Sequence, residues 1–269
     1  MQLLSFDVLR TMEMPGVRHI KPEDWFRSRD QISRADWVLF PEYWQVNALV
    51  YGWKTRVFPS VSTYHLGHDK VEMTRAFQAI CPSHVPHTLI LPATAAGIEQ
   101  VLDEFAMPFV AKEVRSSMGN GVYLIEQRSQ FLDYARKNSV LYVQEHLPIH
   151  RDIRVVWVGR TCVAAYWRQA AQGSFHNNVA RGGEVSFDDV PAAATELVAK
   201  VASALGVDHA GFDIAAVDGH CFLLEFNLRF GTQALNTRGL RIGNYILEYL
   251  RSQTPGTMPR PETPGFASA

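Results

Sequence analysis

The chain has 269 residues, 47% hydrophobic and 20% charged, with a formal net charge of −1, values of an ordinary soluble globular protein with one large or two to three small domains. There is no global field to recruit nucleic acid or an anionic membrane, and no apolar run of bilayer-spanning length. The start, M-Q-L-L-S-F-D-V-L-R, lacks the basic region of a signal peptide, and Cys81, Cys162 and Cys221 show neither metal spacing nor a disulfide framework, which predicts a reducing cytoplasm.

Residues 3–9 read as a first β run. Residues 21–29 read as a short helix with Pro22 at its start. Residues 35–40 and 56–58 read as strands, each closed by a proline, with a helix over 43–51 between them. This alternation predicts a small parallel α/β domain over residues 1–66. Its aromatic residues, Trp25, Phe26, Trp37, Phe40, Tyr43, Trp44, Tyr51 and Trp53, are expected to supply core and interfaces. Residues 60–67 read as a linker.

Asp69 can cap a helix to Ile80, with Met73, Phe77 and Ile80 on one face. Lys70 opposes the helix dipole there, which suggests that it faces an anion. Four histidines between His65 and His87 lack zinc-site spacing. Thr94 can cap a second helix. Lys112 then sits inside an apolar strand, where a buried ammonium needs a partner. Residues 116–121, S-S-M-G-N-G, can turn several N–H groups toward one point, although strand follows the loop and no Walker A sequence is present.

A helix over 127–138, a strand over 140–147 and a hairpin around Gly159-Arg160 come next. Asp152 and Arg154 share one strand face by the period of two. A long polar loop follows, with Asn178 and Arg181 as its candidate ligand groups. Asp189 is expected to cap a helix over 191–205 that stops at Gly206. A closing helix covers 241–252, and residues 253–269, rich in Pro, Thr, Ser and Gly, read as a disordered tail.

Residues 210–231, A-G-F-D-I-A-A-V-D-G-H-C-F-L-L-E-F-N-L-R-F-G, read as two strands joined at Asp218-Gly219-His220. A three-residue loop places Asp213 opposite Glu225, with Asn227 on the same face, and Phe212, Ile214 and Ala216 against Phe222, Leu224 and Phe226 on the other. A two-residue loop would mix the faces unless a bulge restored the pairing. Two bare carboxylates about 5 Å apart repel by roughly 3 kcal/mol at an effective dielectric near 20, so one is protonated or a cation lies between them. Hard oxygen donors suit Mg²⁺.

The order of parts is more specific than any one of them. A strand lysine, a small-residue loop, Q-E-H-L, D-I-R, N-N-V-A-R-G-G and F-D-I…L-L-E-F-N occur in series. This series resembles the ATP-grasp superfamily, closest to its RimK-type and glutathione-synthetase-like ligases, over residues 68–252. The resemblance implies an α/β (α+β) ATP-grasp fold. Two α+β subdomains, residues 67–146 and 147–252, would clamp ATP behind the short parallel domain.

By position, the resemblance implies phosphate contacts from Lys70 and Lys112 and a closing loop that includes Ser117, Gly119 and Gly121. It implies an adenine side formed by Gln144, Glu145, His146 and Leu147, with Glu145 accepting from the adenine amino group. Asp152 would contact the nucleotide near the ribose, and Asn178 would lie near the phosphates. Asp213, Glu225 and Asn227 would bind Mg²⁺ or Mn²⁺. Arg168 would offset phosphate charge, and Arg154, Arg181 and Arg229 are candidates to meet an oxyanion.

The implied activity is ATP-dependent joining of a carboxylate to an amine through an acyl phosphate, releasing ADP and phosphate. A phosphotransferase, or an ATP-binding regulatory protein without turnover, is the alternative. The implied partners are ATP and small-molecule or peptide substrates, with no nucleic acid and no membrane, and a homo-oligomer is left open. One departure is Leu228-Arg229-Phe230-Gly231 after E-F-N, where the RimK-type pattern continues Ala-Ser-Pro-Gly.

Overall fold

Three sheets are laid down in chain order in the computed structural model, which describes residues 1–115, 121–169 and 184–254. The expectations for Ser117, Gly119, Asn178, Arg181 and residues 255–269 lie outside the described residues.

The first sheet is parallel. It takes β1 (Leu3–Ser5), α1 (Val8–Thr11), β2 (Val17–His19), α2 (Arg29–Arg34), β3 (Trp37–Leu39), α3 (Tyr43–Asn47) and β4 (Val57–Phe58), in the strand order β2-β1-β3-β4. Three local expectations change. The first run stops at Ser5, because the Asp7 carboxylate accepts from the Arg10 N–H at 3.1 Å and starts α1. Residues 21–29 make a 3₁₀ turn at Pro22–Asp24, and the α-helix waits until Arg29. The aromatic residues divide: Trp37 and Phe40 are buried, whereas Phe26, Tyr43, Trp44 and Tyr51 are exposed. Trp25 and Trp53 are half-buried against each other, with ring centroids 4.7 Å apart.

The predicted linker is the helix α4 (Val61–His68), capped by Ser60, whose Oγ accepts from the Thr63 N–H at 3.1 Å. Its start is held by Asp208, which accepts from the Ser60 N–H at 2.7 Å and the Thr63 hydroxyl at 3.2 Å. Burial outweighs those bonds and pushes the Asp208 carboxyl up to about 6. The folded state therefore holds this proton more tightly than the unfolded chain. The resulting stability is complete below about pH 4 and is lost as pH rises through about 6. Asp208→Asn is expected to flatten that part of the profile, seen as a difference in urea midpoint from the wild type that changes between pH 4 and 7. A constant difference would refute the assignment.

The second sheet is antiparallel. After α5 (Lys70–Ile80) come β5 (Thr88–Pro92), α6 (Ala95–Glu104), β6 (Phe109–Lys112), β7 (Val122–Ile125), α7 (Arg128–Lys137) and β8 (Val140–Glu145), in the strand order β5-β8-β6-β7. Asp69 caps α5 and Thr94 caps α6, as read from the sequence. Phe109, Ala111, Leu141 and Val143 pack with Val101 of α6 and Phe131 of α7. The period of two then turns Lys112, Tyr142 and Gln144 to the opposite face.

The third sheet, also antiparallel, holds the hairpin. It takes β9 (Arg151–Val158), β10 (Thr161–Gln169), β11 (Glu184–Ser186), α8 (Ala192–Leu205), β12 (His209–Val217) and β13 (His220–Asn227), in the strand order β11-β10-β9-β12-β13. Then come α9 (Gln233–Thr237) and α10 (Ile242–Gln253). Gly206 ends α8 at φ +67°, as expected of a C-terminal glycine. The N-cap is Pro191, not Asp189, which lies in a turn at φ +54°.

The tip of the hairpin differs from the expected three-residue loop. Val217 pairs with His220 around Asp218 (φ +48°) and Gly219 (φ +79°), a pair of positive φ values that suits a two-residue turn. Leu224 is then an extra residue, and this bulge restores Asp213 opposite Glu225. The core face is accordingly Phe212 and Ile214 with Cys221, Leu223 and Phe226, while the expected Phe222 and Leu224 are only half-buried. Met73 and Phe77 of α5, together with α8, cover that face. The other face packs Val156 and Val158 against Phe40, Phe58 and α10, and becomes charged toward Arg154 and Asp152.

Candidate active site

One row across the third sheet carries the charge. Tyr166, Arg154, Asp213 and Glu225 stand directly opposite one another on β10, β9, β12 and β13. Arg154 donates to both Asp213 oxygens, at 2.6 and 3.2 Å. In the next row Arg168 makes a two-point contact with Asp152, at 2.8 and 2.7 Å, and its Nη2 also reaches Asp213 at 3.0 Å. All four side chains are buried. The carboxylates are held by charge-assisted bonds to guanidinium groups, as burial of such groups demands. Burial nevertheless pushes the Asp152 carboxyl up to about 6, against the opposing pull of Arg168.

Gly211 makes room for this arrangement. A Cβ there would lie 2.5 Å from Arg154 Nη1, so the guanidinium passes where a side chain would stand. Nothing in the sequence marks this glycine, because β12 reads as a strand with or without it.

Glu225 is bracketed by base and amide. Lys70 Nζ lies 3.7 Å from its carboxylate, and the Asn227 amide donates to it at 3.0 Å. Lys112 comes from the facing sheet and donates to the Gln144 carbonyl oxygen at 2.7 Å. Burial lowers its ammonium to about 8, Glu225 and Asp213 pull it back up, and Lys70 adds to the lowering. Lys70, Lys112, Asp213 and Glu225 therefore share one field, although they come from α5, β6, β12 and β13. Tyr142 braces α5 against the second sheet through a 2.7 Å contact with the Thr74 hydroxyl, a pair that leaves no signal in the sequence.

Several expected groups have other occupations. Asp152 is turned onto Arg168. The Gln144 side chain is committed at both ends, to Lys112 and to the Thr88 hydroxyl at 2.9 Å. The Glu145 carboxylate accepts from the His87 N–H at 2.6 Å. His146 is exposed and Leu147 half-buried just past β8. The Gly121 carbonyl accepts from the Glu113 N–H at 2.7 Å, one step beyond the Lys112–Val122 pair of β6 and β7. Arg229 is placed away from the buried row, with its Nη2 3.0 Å from each oxygen of Glu42.

Among the described residues no three His, Cys, Asp or Glu side chains are grouped to hold a metal ion. The donor set at the hairpin is two carboxylates and an amide, hard oxygens that could hold a magnesium-sized ion. In the described structure Lys70, Arg154 and Arg168 neutralise those acids. Among the described residues, no helix is long and apolar enough to cross a membrane.

Comparison with known proteins agrees with this geometry. The family model for the RimK-like ATP-grasp domain matches residues 82–250. A probable alpha-L-glutamate ligase of Enterobacter sp. (strain 638) is 34% identical over 217 residues, covering 75% of this chain and 72% of that protein. Against three other proteins of that name the match spans only about half their length, 51 to 52%. A RimK domain ATP-grasp protein from Sphaerobacter thermophilus superposes with a TM-score of 0.70 at 16% identity, over 93% of this chain and 99% of that one. A D-alanine–D-alanine ligase from Bacillus anthracis complexed with ATP superposes with a TM-score of 0.65 at 14% identity, over 88% and 86%. With a lysine-bearing sheet set against an acid-bearing hairpin in the expected order, the chain belongs to the RimK-like ATP-grasp family of ATP-dependent carboxylate–amine ligases.

Proposed function

We propose that the chain activates a substrate carboxylate with ATP and joins it to an amino acid. L-glutamate is the first candidate for the amine, because the glutamate ligase relative carries that name. The supporting observation is Asp213 opposite Glu225, in one field with Lys70 and Lys112. We read residues 67–146 and 147–252 as the two subdomains that hold the nucleotide, and the cytoplasm as the compartment.

A carboxylate oxygen attacks the γ-phosphorus, the bond to the β–γ bridging oxygen breaks, and ADP leaves with that electron pair. The amine then attacks the acyl carbon, loses a proton, and phosphate departs. Lys70 and Lys112 offset the phosphate charge. Asp213, Glu225 and Asn227 would hold a Mg²⁺ ion, which would supply charge neutralisation for the phosphates. Arg154 and Arg168 hold the Asp213 carboxylate in place through charge-assisted hydrogen bonds.

ADP and phosphate release is expected only with carboxylate, L-glutamate and Mg-ATP together, and the product mass should equal both substrates less water. A phosphorylated single substrate would instead identify a phosphotransferase. Lys112→Ala is expected to weaken ATP binding about 10- to 100-fold, the range for a charge-assisted hydrogen bond. Unchanged affinity by calorimetry would remove Lys112 from the nucleotide site.

A further inference from the structure

The strand order of the first sheet has a chemical consequence. From β1 the chain goes to β2 on one side and then to β3 on the other, so the connection reverses between β1 and β3. The carboxyl ends of strands at such a point form a crevice where ligands bind. Arg10 follows β1 on α1, and Glu42 follows β3. Arg229, just past Asn227, reaches Glu42 from the third sheet. The carboxyl ends of β1 and β3 therefore lie on the side of the first sheet that the acid-bearing hairpin reaches through Arg229.

The two guanidinium groups are only partly engaged. Among the described residues Arg10 makes no side-chain hydrogen bond, and its nearest carboxylate, Asp7, lies 3.3 Å from Nε. Its charge lies 5.9 Å from the centre of the buried Phe40 ring, with 24% of the side chain exposed. Among the described residues Arg229 uses Nη2 alone, so Nε and Nη1 keep their N–H groups to offer. Desolvation lowers the Arg10 guanidinium, Asp7 opposes that, and the field of Arg229 lowers it further. Two like charges in each other's field, with donors to spare, favour an anion between them.

Resting on the ligase reading above, we propose that Arg10 and Arg229 form a subsite for a carboxylate carried by the amine substrate, and that Glu42 occupies Arg229 until that carboxylate displaces it. The activated carboxylate has to meet the phosphate beside Asp213 and Glu225. The crevice past Asn227 is left for the second substrate, whose amine must reach the acyl carbon from the side. Arg10 and Arg229 are then specificity determinants, and Glu42 is a competing internal ligand.

The test is calorimetric titration of the full chain, loaded with Mg-ADP, with L-glutamate, L-aspartate and L-alanine, each of which carries an α-carboxylate. Arg10→Gln and Arg229→Gln are each expected to weaken amino-acid binding at least 10-fold with ADP affinity unchanged. Glu42→Gln is expected to tighten it several-fold, a gain that damage to the fold cannot produce. Unchanged amino-acid affinity in Arg10→Gln and Glu42→Gln overturns the subsite. Wild-type protein that binds ADP but none of the three amino acids also overturns it and leaves the nucleotide site standing. Wild-type protein that fails to bind ADP overturns the ligase reading on which the subsite rests.

Discussion

Glu225→Gln is expected to slow ligation by about 10²- to 10³-fold, the usual loss when one preorganised charge is removed from a polar reaction centre. The substitution keeps the shape of the side chain and its place opposite Asp213. Three groups lean on the carboxylate: Lys70 at 3.7 Å, the Asn227 amide at 3.0 Å, and Lys112 through the field that pulls its ammonium upward. Loss of the charge removes one acid from the surroundings of Lys70 and takes one anionic donor from the proposed ion site. The side chain is half-buried at a strand end, so the melting temperature should move little. ADP release and a thermal melt on the same preparation check both halves. Wild-type turnover in a folded variant would sink the assignment.

Arg168→Met is expected to act on stability instead, with a loss of about 3–5 kcal/mol, the cost of leaving buried acids without their partner. That corresponds to a fall of roughly 6–20 °C in melting temperature for a chain of this size. Arg168 bonds Asp152 at 2.8 and 2.7 Å and reaches Asp213 at 3.0 Å, so its removal leaves two buried carboxylates with Arg154 alone. Burial has already pushed Asp152 up to about 6 in the intact row. Without Arg168 it should rise further. The folded variant would then bind a proton that the unfolded chain releases, and its deficit should shrink as pH falls from 8 to 5. Melting curves of both proteins across that range decide the matter, since an equal deficit at both ends would exclude Asp152 as the source. Asp152→Asn in the same background should recover part of the loss at pH 8.

Sequence and structure part company at particular residues. The hairpin face of Asp213, Glu225 and Asn227 was legible because side chains alternate every second residue, and only one register keeps Phe212 and Ile214 on an apolar face. Its tip was not legible, since a two-residue turn with a bulge at Leu224 and a three-residue loop give the same pairing at Asp213. Lys112 stood out as a lysine inside an apolar strand. Helix α4 did not, because V-S-T-Y-H-L-G-H carries no clear apolar stripe, and Asp208, far along the chain, holds its start.

By itself the sequence determined that Asp213 and Glu225 share a face, that Asp69 and Thr94 cap their helices, and the order of charged groups along the chain. These are consequences of local geometry, repeating over two to four residues. Only the tertiary structure decided which charges meet. Arg154 and Asp213 are 59 residues apart and Glu42 and Arg229 are 187, so no local period can relate them. Their pairing is set by the stacking of sheets around shared apolar cores, because a buried charge must find whatever counter-charge the packing brings within reach.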